Sequence, residues 1–302
     1  MSLTIGLVGC GRWGGVHLRT LQNLKSTGHV RRVAVCDIDP DKLAGIQADA
    51  TYASFDQMLE HEHLDGVAIV TPPNTHVDLA RKALMHSLPA LVEKPLAVEH
   101  EVASDFLNSL QENTVLVVGY ILRHHYAIKH LHSPRIQDLL GEVRSVHYRR
   151  QTVRERPAGA QPISTLGVHA LDLIAWLLGQ PLMSGEVVNK STTADTASVN
   201  LVFPSGHEGS FEVAWSASQE RRLLHIEGAS GQATLDFGTG DIDLTNKHGR
   251  TSFQSTGNEA LVEEWKHFLA HLTAPKQHVF PSIERLIDQS AWLHTHGGEE
   301  SV

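Results

Sequence analysis

A chain of 302 residues, 41% hydrophobic and 20% charged, carries enough apolar material for two globular domains and is too balanced to be disordered. No run of about 18 apolar residues occurs, so no membrane span is expected. The formal charge of −9 argues against nucleic acid or an anionic membrane as a partner.

Leu3 to Val8 is a short apolar run that reads as a buried strand, and it breaks at once into Gly9-Cys10-Gly11-Arg12-Trp13-Gly14. A helix-like stretch, Val16 to Leu21, follows. A strand feeding a Gly-x-Gly-x-x-Gly turn and then a helix is the context in which this motif binds a dinucleotide. Gly9 permits the tight turn, Gly11 lets the backbone approach a pyrophosphate, and Gly14 lets helix and strand pack closely. Arg12 and Trp13 lie inside the turn and join the cofactor-binding set, with the helix N-terminus offering its free N–H groups to phosphate.

The next strand, Arg31 to Cys36, ends on Asp37, which is 37 − 14 = 23 residues beyond the last glycine. About 20 is the spacing of the acid that accepts hydrogen bonds from the adenosine ribose. With Asp39 and Asp41 following and no arginine nearby, NAD is favoured over NADP. The other reading of Asp37 is a cap for the helix that follows. The two cysteines, Cys10 and Cys36, occupy positions where small buried residues are wanted. They imply neither a disulfide framework nor a metal knuckle. With a strand at the N-terminus in place of a signal-peptide pattern, the expected compartment is the cytoplasm.

Alternation of strands and helices continues to residue 119. Residues 41–49 and 54–60 pattern as helices, Gly66–Val70 as a strand buried on both faces, and Thr71-Pro72-Pro73-Asn74-Thr75-His76 as a loop whose Asn74 or Thr75 caps a helix through Met85. Pro89–Val92 is a strand running into Glu93-Lys94-Pro95, followed by a helix over 99–111 and a strand over 115–118. Such repeats define a doubly wound parallel sheet with right-handed crossovers. Ligands bind beyond the carboxyl ends of its strands. Thr71, Pro72, Asn74, His76, Glu93 and Lys94 therefore join the cofactor-binding set, and Tyr120 and Arg123 lie on the same edge.

From Gly141 the pattern changes. Residues 142–150 alternate like a half-exposed strand, Leu166–Leu178 is an apolar helix stopped by Gly179, and strands follow at 197–203, 210–214, 223–227 and 233–237. Helices over 259–271 and 282–294 close the chain. The expected class is α/β: a Rossmann domain over 1–119 and a C-terminal α+β domain over 120–302 with a mostly antiparallel open sheet. The 21 histidines include pairs such as His61/His63, His124/His125 and His130/His132, none with the spacing of a zinc site, and no metal is expected.

Taken together, the glycine turn, Asp37, Thr71–His76, Glu93-Lys94-Pro95 and Leu166-Gly167-Val168-His169-Ala170-Leu171-Asp172-Leu173 resemble the Gfo/Idh/MocA oxidoreductases, in order along the whole chain. The resemblance implies reversible oxidation of a secondary alcohol on a sugar, cyclitol or sugar nucleotide. It also implies homo-oligomers, dimers or tetramers, built on the second-domain sheet.

Oxidising a carbinol needs hydride transfer and removal of the hydroxyl proton. Lys94 is placed to bond the hydroxyl oxygen and stabilise its developing negative charge. Pro95 fixes Lys94 through a Lys-Pro peptide to which the cis form is open. His169, with an ordinary pKa near neutrality, is the proton acceptor. The family pattern has an aspartate four residues before this histidine, and here Thr165 replaces it. Thr165 can donate a hydrogen bond but carries no charge. Asp172 either orients His169 in its place or packs the helix.

Arg123 stands where the family often contacts substrate. Strand alternation puts Arg150, Arg154 and Arg156 on one face, which is either an anion-binding surface or a solvated edge. Two function classes follow: an NAD-dependent dehydrogenase acting on a carbohydrate-like alcohol, or a catalytically weak NAD(H)-binding sensor.

Overall fold

The computed structural model describes residues 3–272 and 278–298. The chain forms two units, Met1–Tyr120 with Leu261–Ser290, and Ile121–Ala260 with Ala291–Val302.

The first unit begins with β1 (Leu3–Val8), buried at every position, and α1 (Arg12–Ser26), whose Leu18, Leu21 and Leu24 pack inward. Then come β2 (Val30–Cys36), α2 (Pro40–Leu43), β3 (Ala50–Tyr52), α3 (Phe55–His61), β4 (Gly66–Ile69), α4 (His76–Met85), β5 (Ala90–Glu93), α5 (His100–Asn108) and β6 (Val115–Gly119). Continuous burial along β1, β4, β5 and β6 follows from helices covering both faces of a parallel sheet. Residues 41–49, expected as one helix, hold only the end of α2. Gly45 turns the chain at φ +74°, a conformation suited to glycine, and frees it to extend into β3.

The second unit contains α6 (Tyr126–Leu131), α7 (Pro134–Leu140), β7 (Val143–Gln151), α8 (Val168–Leu178), β8 (Glu186–Thr192), β9 (Thr196–Val202), β10 (Glu208–Ala214), β11 (Arg221–Gly228), β12 (Gly231–Asp236), β13 (Asp241–Asn246) and β14 (Gly249–Gln254). Its eight strands run in the order β14-β13-β12-β11-β7-β10-β9-β8, antiparallel except for the β7–β10 pair. Alternating residues of these strands, among them Tyr148, Phe211 and Leu224, form one core with Leu171 and Ile174 of α8. A Cβ on Gly209 would sit 2.5 Å from Ile174 Cγ2, so glycine permits this close seat of helix on sheet.

The chain then returns through α9 (Ala260–Leu272), β15 (His278–Phe280) and α10 (Ile283–His296). β15 joins the first sheet parallel to β6 and completes the order β15-β6-β5-β4-β1-β2-β3. Residues 261–290, read from sequence as part of the second domain, thus belong to the first unit.

Candidate active site

The glycine turn lies at the carboxyl end of β1. Gly9 adopts φ +98° and its N–H bonds Cys36 O at 2.8 Å. A Cβ on Gly14 would stand 2.1 Å from Gly9 O, so only glycine lets α1 start here. Gly11 occupies the N-cap of α1 with no side-chain cap, and a Cβ built on it meets nothing within 4 Å. Uncapped first-turn N–H groups beside open space suit a pyrophosphate. Arg12 is exposed at the head of the helix.

Asp37 is buried at the end of β2 and pinned on both oxygens. Cys10 N–H donates to Oδ2 at 2.7 Å and Asp39 N–H to Oδ1 at 2.9 Å. Each oxygen keeps a further lone pair for a ribose hydroxyl. The cap of α2 is Asp39, which accepts from Asp41 N–H, so the helix-capping alternative for Asp37 falls away. Ile38, 89% exposed, follows directly, and sequence patterning did not single it out. Burial, reinforced by the Asp37 charge, pushes both Cys10 and Cys36 up to about 12 and keeps the thiols protonated.

At the end of β5 a buried carboxylate links the glycine helix to the lysine segment. Glu93 Oε1 accepts from Trp13 Nε1 at 2.7 Å and lies 3.0 Å from His17 Nε2, while Lys94 N–H donates to Oε2 at 3.2 Å. The carboxylate rests against Gly119, where a Cβ would lie 3.0 Å from Oε1. His17 is wholly buried, with Trp13 and Trp265 edge-on at 5.7 and 5.8 Å. Burial alone would raise the Glu93 pKa, but His17, Lys94 and Trp13 outweigh it and hold the group below its ordinary value. Glu264 of α9 is also fully buried, and neither of its oxygens has a hydrogen-bond partner. Burial, then the Glu93 charge, drives its pKa well up and keeps it a neutral acid. His17, Glu264 and Trp265 are the residues that sequence patterning missed. Each looks like a core residue of an amphipathic helix until the fold closes over Glu93.

Lys94 is half-buried and its pKa is lowered by burial, against the pull of Glu93. Its peptide bond to Pro95 is cis. His76 ties this segment to the preceding loop, with Nδ1 2.9 Å from Pro95 O and Nε2 2.8 Å from Thr71 O. Burial holds His76 below the usual histidine pKa, so the neutral ring donates to one carbonyl at a time. Thr75 is the N-cap of α4, but its hydroxyl donates back to Pro72 O and can accept from Thr71 Oγ1, and no side chain caps the helix. Pro72 and Asn74 are exposed, and Tyr120 is buried.

In the second unit the helix expected from Leu166 begins earlier, as a π turn over Ile163–Gly167 that runs into α8. π turns accompany functional positions in helices. Thr165 stands in the π turn and His169 in the first turn of α8, and both are half-buried. The change of winding between them replaces the simple four-residue α-helical spacing. Asp172 is the sole carboxylate over residues 163–178. It is taken up by Arg123, whose Nε and Nη2 donate at 2.7 to 3.0 Å, with side chains only 7% and 5% exposed. The guanidinium also stacks over Trp176 at 4.9 Å. The expected basic face is not formed. β7 ends at Gln151, Arg150 pairs with Glu220 at 2.6 Å, Arg156 with Asp195 at 3.0 Å, and Arg154 lies over Trp215.

The fold and the glycine turn define a dinucleotide-binding α/β protein of two units. Residues 3–120 match a family model described as an oxidoreductase family with an NAD-binding Rossmann fold, and residues 135–234 match the Gfo/Idh/MocA C-terminal domain. The chain belongs to the Gfo/Idh/MocA family of NAD-binding oxidoreductases. Inositol 2-dehydrogenase of Burkholderia multivorans is 31% identical over 213 residues, 68% of this chain and 62% of that protein. Rhizopine catabolism protein MocA of Rhizobium meliloti is 32% identical over 197 residues, 63% of this chain and 61% of that protein. The matched regions thus span little more than three fifths of these relatives. The solved UDP-N-acetylglucosamine 3-dehydrogenase of Acidithiobacillus ferrooxidans has the same fold, with a TM-score of 0.79 at 23% identity over 98% of this chain and 97% of that one. Among the described residues, no helix is long and apolar enough to cross a membrane.

Proposed function

We propose that this chain is an NAD-dependent dehydrogenase that oxidises, reversibly, a secondary alcohol of a sugar, cyclitol or sugar nucleotide. The names of its relatives point to that substrate class. The observation that carries the reading is the Glu93 network. One buried carboxylate is held by Trp13 and His17 from the glycine helix and bonds the backbone of Lys94, so the residues for phosphate and for catalysis share one support.

Gly9, Gly11 and the head of α1 would hold the pyrophosphate, Asp37 the ribose, and Ile38 would offer apolar surface to the adenine. The bound dinucleotide supplies hydride acceptance. Lys94 donates to the substrate hydroxyl oxygen and stabilises charge growing on it. His169 accepts the hydroxyl proton. Asp37 supports NAD over NADP, since a carboxylate repels a 2′-phosphate. Val188 and Val202, exposed on the paired strands β8 and β9, suit a homo-oligomer built on the second sheet. Steady NAD reduction with a panel of polyols, sugars and sugar nucleotides tests the reading. NADH binding without turnover on any of them would overturn it.

One observation favours the second reading, an NAD(H)-binding sensor of low activity. Thr165 carries no charge, and the one carboxylate of its helix is engaged by Arg123. The same panel separates the two.

A further inference from the structure

Three histidines far from the glycine turn converge at the opposite end of the first sheet. His267 and His271 lie one turn apart on α9, and His278 opens β15. One nitrogen from each lies within 4.8 Å of the other two. His278 pairs with Val115 at the start of β6, whereas Glu93 lies opposite Gly119 at its end. About 13 Å of strand separates Val115 from Gly119.

We propose that His267, His271 and His278 form a binding site for one divalent transition metal of the zinc class, clamping α9 to β15. Imidazole is the ligand such ions favour among the groups present, and three histidines leave a fourth position for water. The tautomer of His271 is set by the fold. Its Nδ1 lies 2.8 Å from His267 O, a carbonyl that can only accept, so Nδ1 carries the proton and Nε2 keeps the lone pair. His267 Nε2 and His278 Nε2 stand 2.8 Å apart, sharing one proton between them. In a tetrahedral zinc site two ligand nitrogens are about 3.3 Å apart, so this pair opens slightly as the ion enters. The ring now donating moves its proton to its other nitrogen, and no net charge is lost. His271 and His278 are stacked at 3.5 Å with an 11° interplanar angle, so one ring must tilt to make the lone pairs converge. Phe280 walls the cluster, its ring 4.7 Å from His267.

The test uses the full chain without a polyhistidine tag, stripped with chelator and then freed of it. Calorimetric titration with zinc should give one equivalent with a Kd below about 10 µM. Cobalt should give the visible bands of a tetrahedral nitrogen site. Zinc a hundred-fold above Kd should raise the thermal midpoint by about 5 °C. His271→Gln and His278→Gln should each weaken binding by at least about ten-fold and abolish the cobalt bands, while His61→Gln leaves both intact. NADH affinity should be unchanged in all three variants, which separates failure here from failure of the proposed dehydrogenase function. A parent protein whose strongest zinc site is weaker than about 10 µM would overturn the proposal without recourse to any variant. Binding by His271→Gln and His278→Gln equal to the parent would overturn it as well.

Discussion

Glu93 and Asp172 are both buried carboxylates, but they are compensated in opposite ways. Asp172 meets a guanidinium in a forked arrangement, with a tryptophan face behind it. Glu93 is held by an indole, an imidazole and a backbone N–H, and it shares the interior with Glu264, an acid that has no hydrogen-bond partner. The first arrangement is a self-contained ion pair. The second stores an imbalance, as expected where electrostatics serve binding or catalysis rather than stability alone. Two carboxyl groups whose pKa values are driven apart, Glu93 down and Glu264 up, make that contrast measurable.

The largest expected effect lies on the self-contained side. Arg123→Ala leaves Asp172 buried without its cation and should cost about 3–5 kcal/mol in denaturant unfolding. A loss below about 1 kcal/mol would mean that water replaces the guanidinium and that the pair is not a structural lock.

On the functional side, Lys94→Ala should lower turnover about 100-fold while NADH affinity stays nearly intact, read by steady-state kinetics and fluorescence titration. Normal turnover with a substrate that the parent oxidises would place the charge stabiliser elsewhere.

Glu264→Leu should stabilise the fold by about 1–3 kcal/mol at pH 8, because it removes a buried polar group with no partner. The sign with pH follows from the raised pKa. The native state holds this proton after the unfolded chain has released it, so parent stability falls as pH rises from about 4.3, the unfolded value, toward the folded one. The gain from Glu264→Leu should therefore shrink toward pH 4. Glu93, with its depressed pKa, behaves oppositely: its contribution is present above about pH 4.3 and is lost as pH falls through the folded value. A gain that grows on acidification would contradict the neutral-acid assignment of Glu264.

The smallest effect concerns cofactor choice. The parent should bind NADH at least ten-fold more tightly than NADPH, about 1.4 kcal/mol, and Asp37→Ser should narrow that gap. Equal binding by the parent would show that the two backbone bonds to Asp37 leave its carboxylate no say in discrimination.

Local patterning made the nucleotide end of the molecule legible. β1, the glycine turn and the Asp37 spacing are contiguous, and Gly9 and Gly14 answer steric demands seen in the backbone, as at Gly14 against Gly9 O, while Gly11 borders open space. Most helices and most strands follow from hydrophobic period, but the short α6 and α7 and the strands β3, β8, β13 and β14 are not read from it. Glu93 and Lys94 could be placed on the binding edge because strand ends in a parallel sheet share one side. Their support could not, since His17 and Trp265 present the pattern of ordinary helix-core residues. Asp172 showed the same limit: helical spacing offered it to His169, but the fold brought Arg123 from 49 residues away to claim both oxygens.

The sequence by itself determined the order of strands and helices up to Gly119 except around α2 and β3, the turn chemistry at Gly9–Gly14 and the family's motifs, because these depend on neighbours within a few residues. Only the tertiary structure decided that α9 and β15 return to the first unit, that Glu264 is sealed beside Glu93, and that His278 meets His267 and His271. β15 has three residues, too few to show a period, and it forms because the free edge of β6 offers unpaired backbone groups. That demand is made by a strand more than 150 residues earlier in the chain, so no local pattern could announce it.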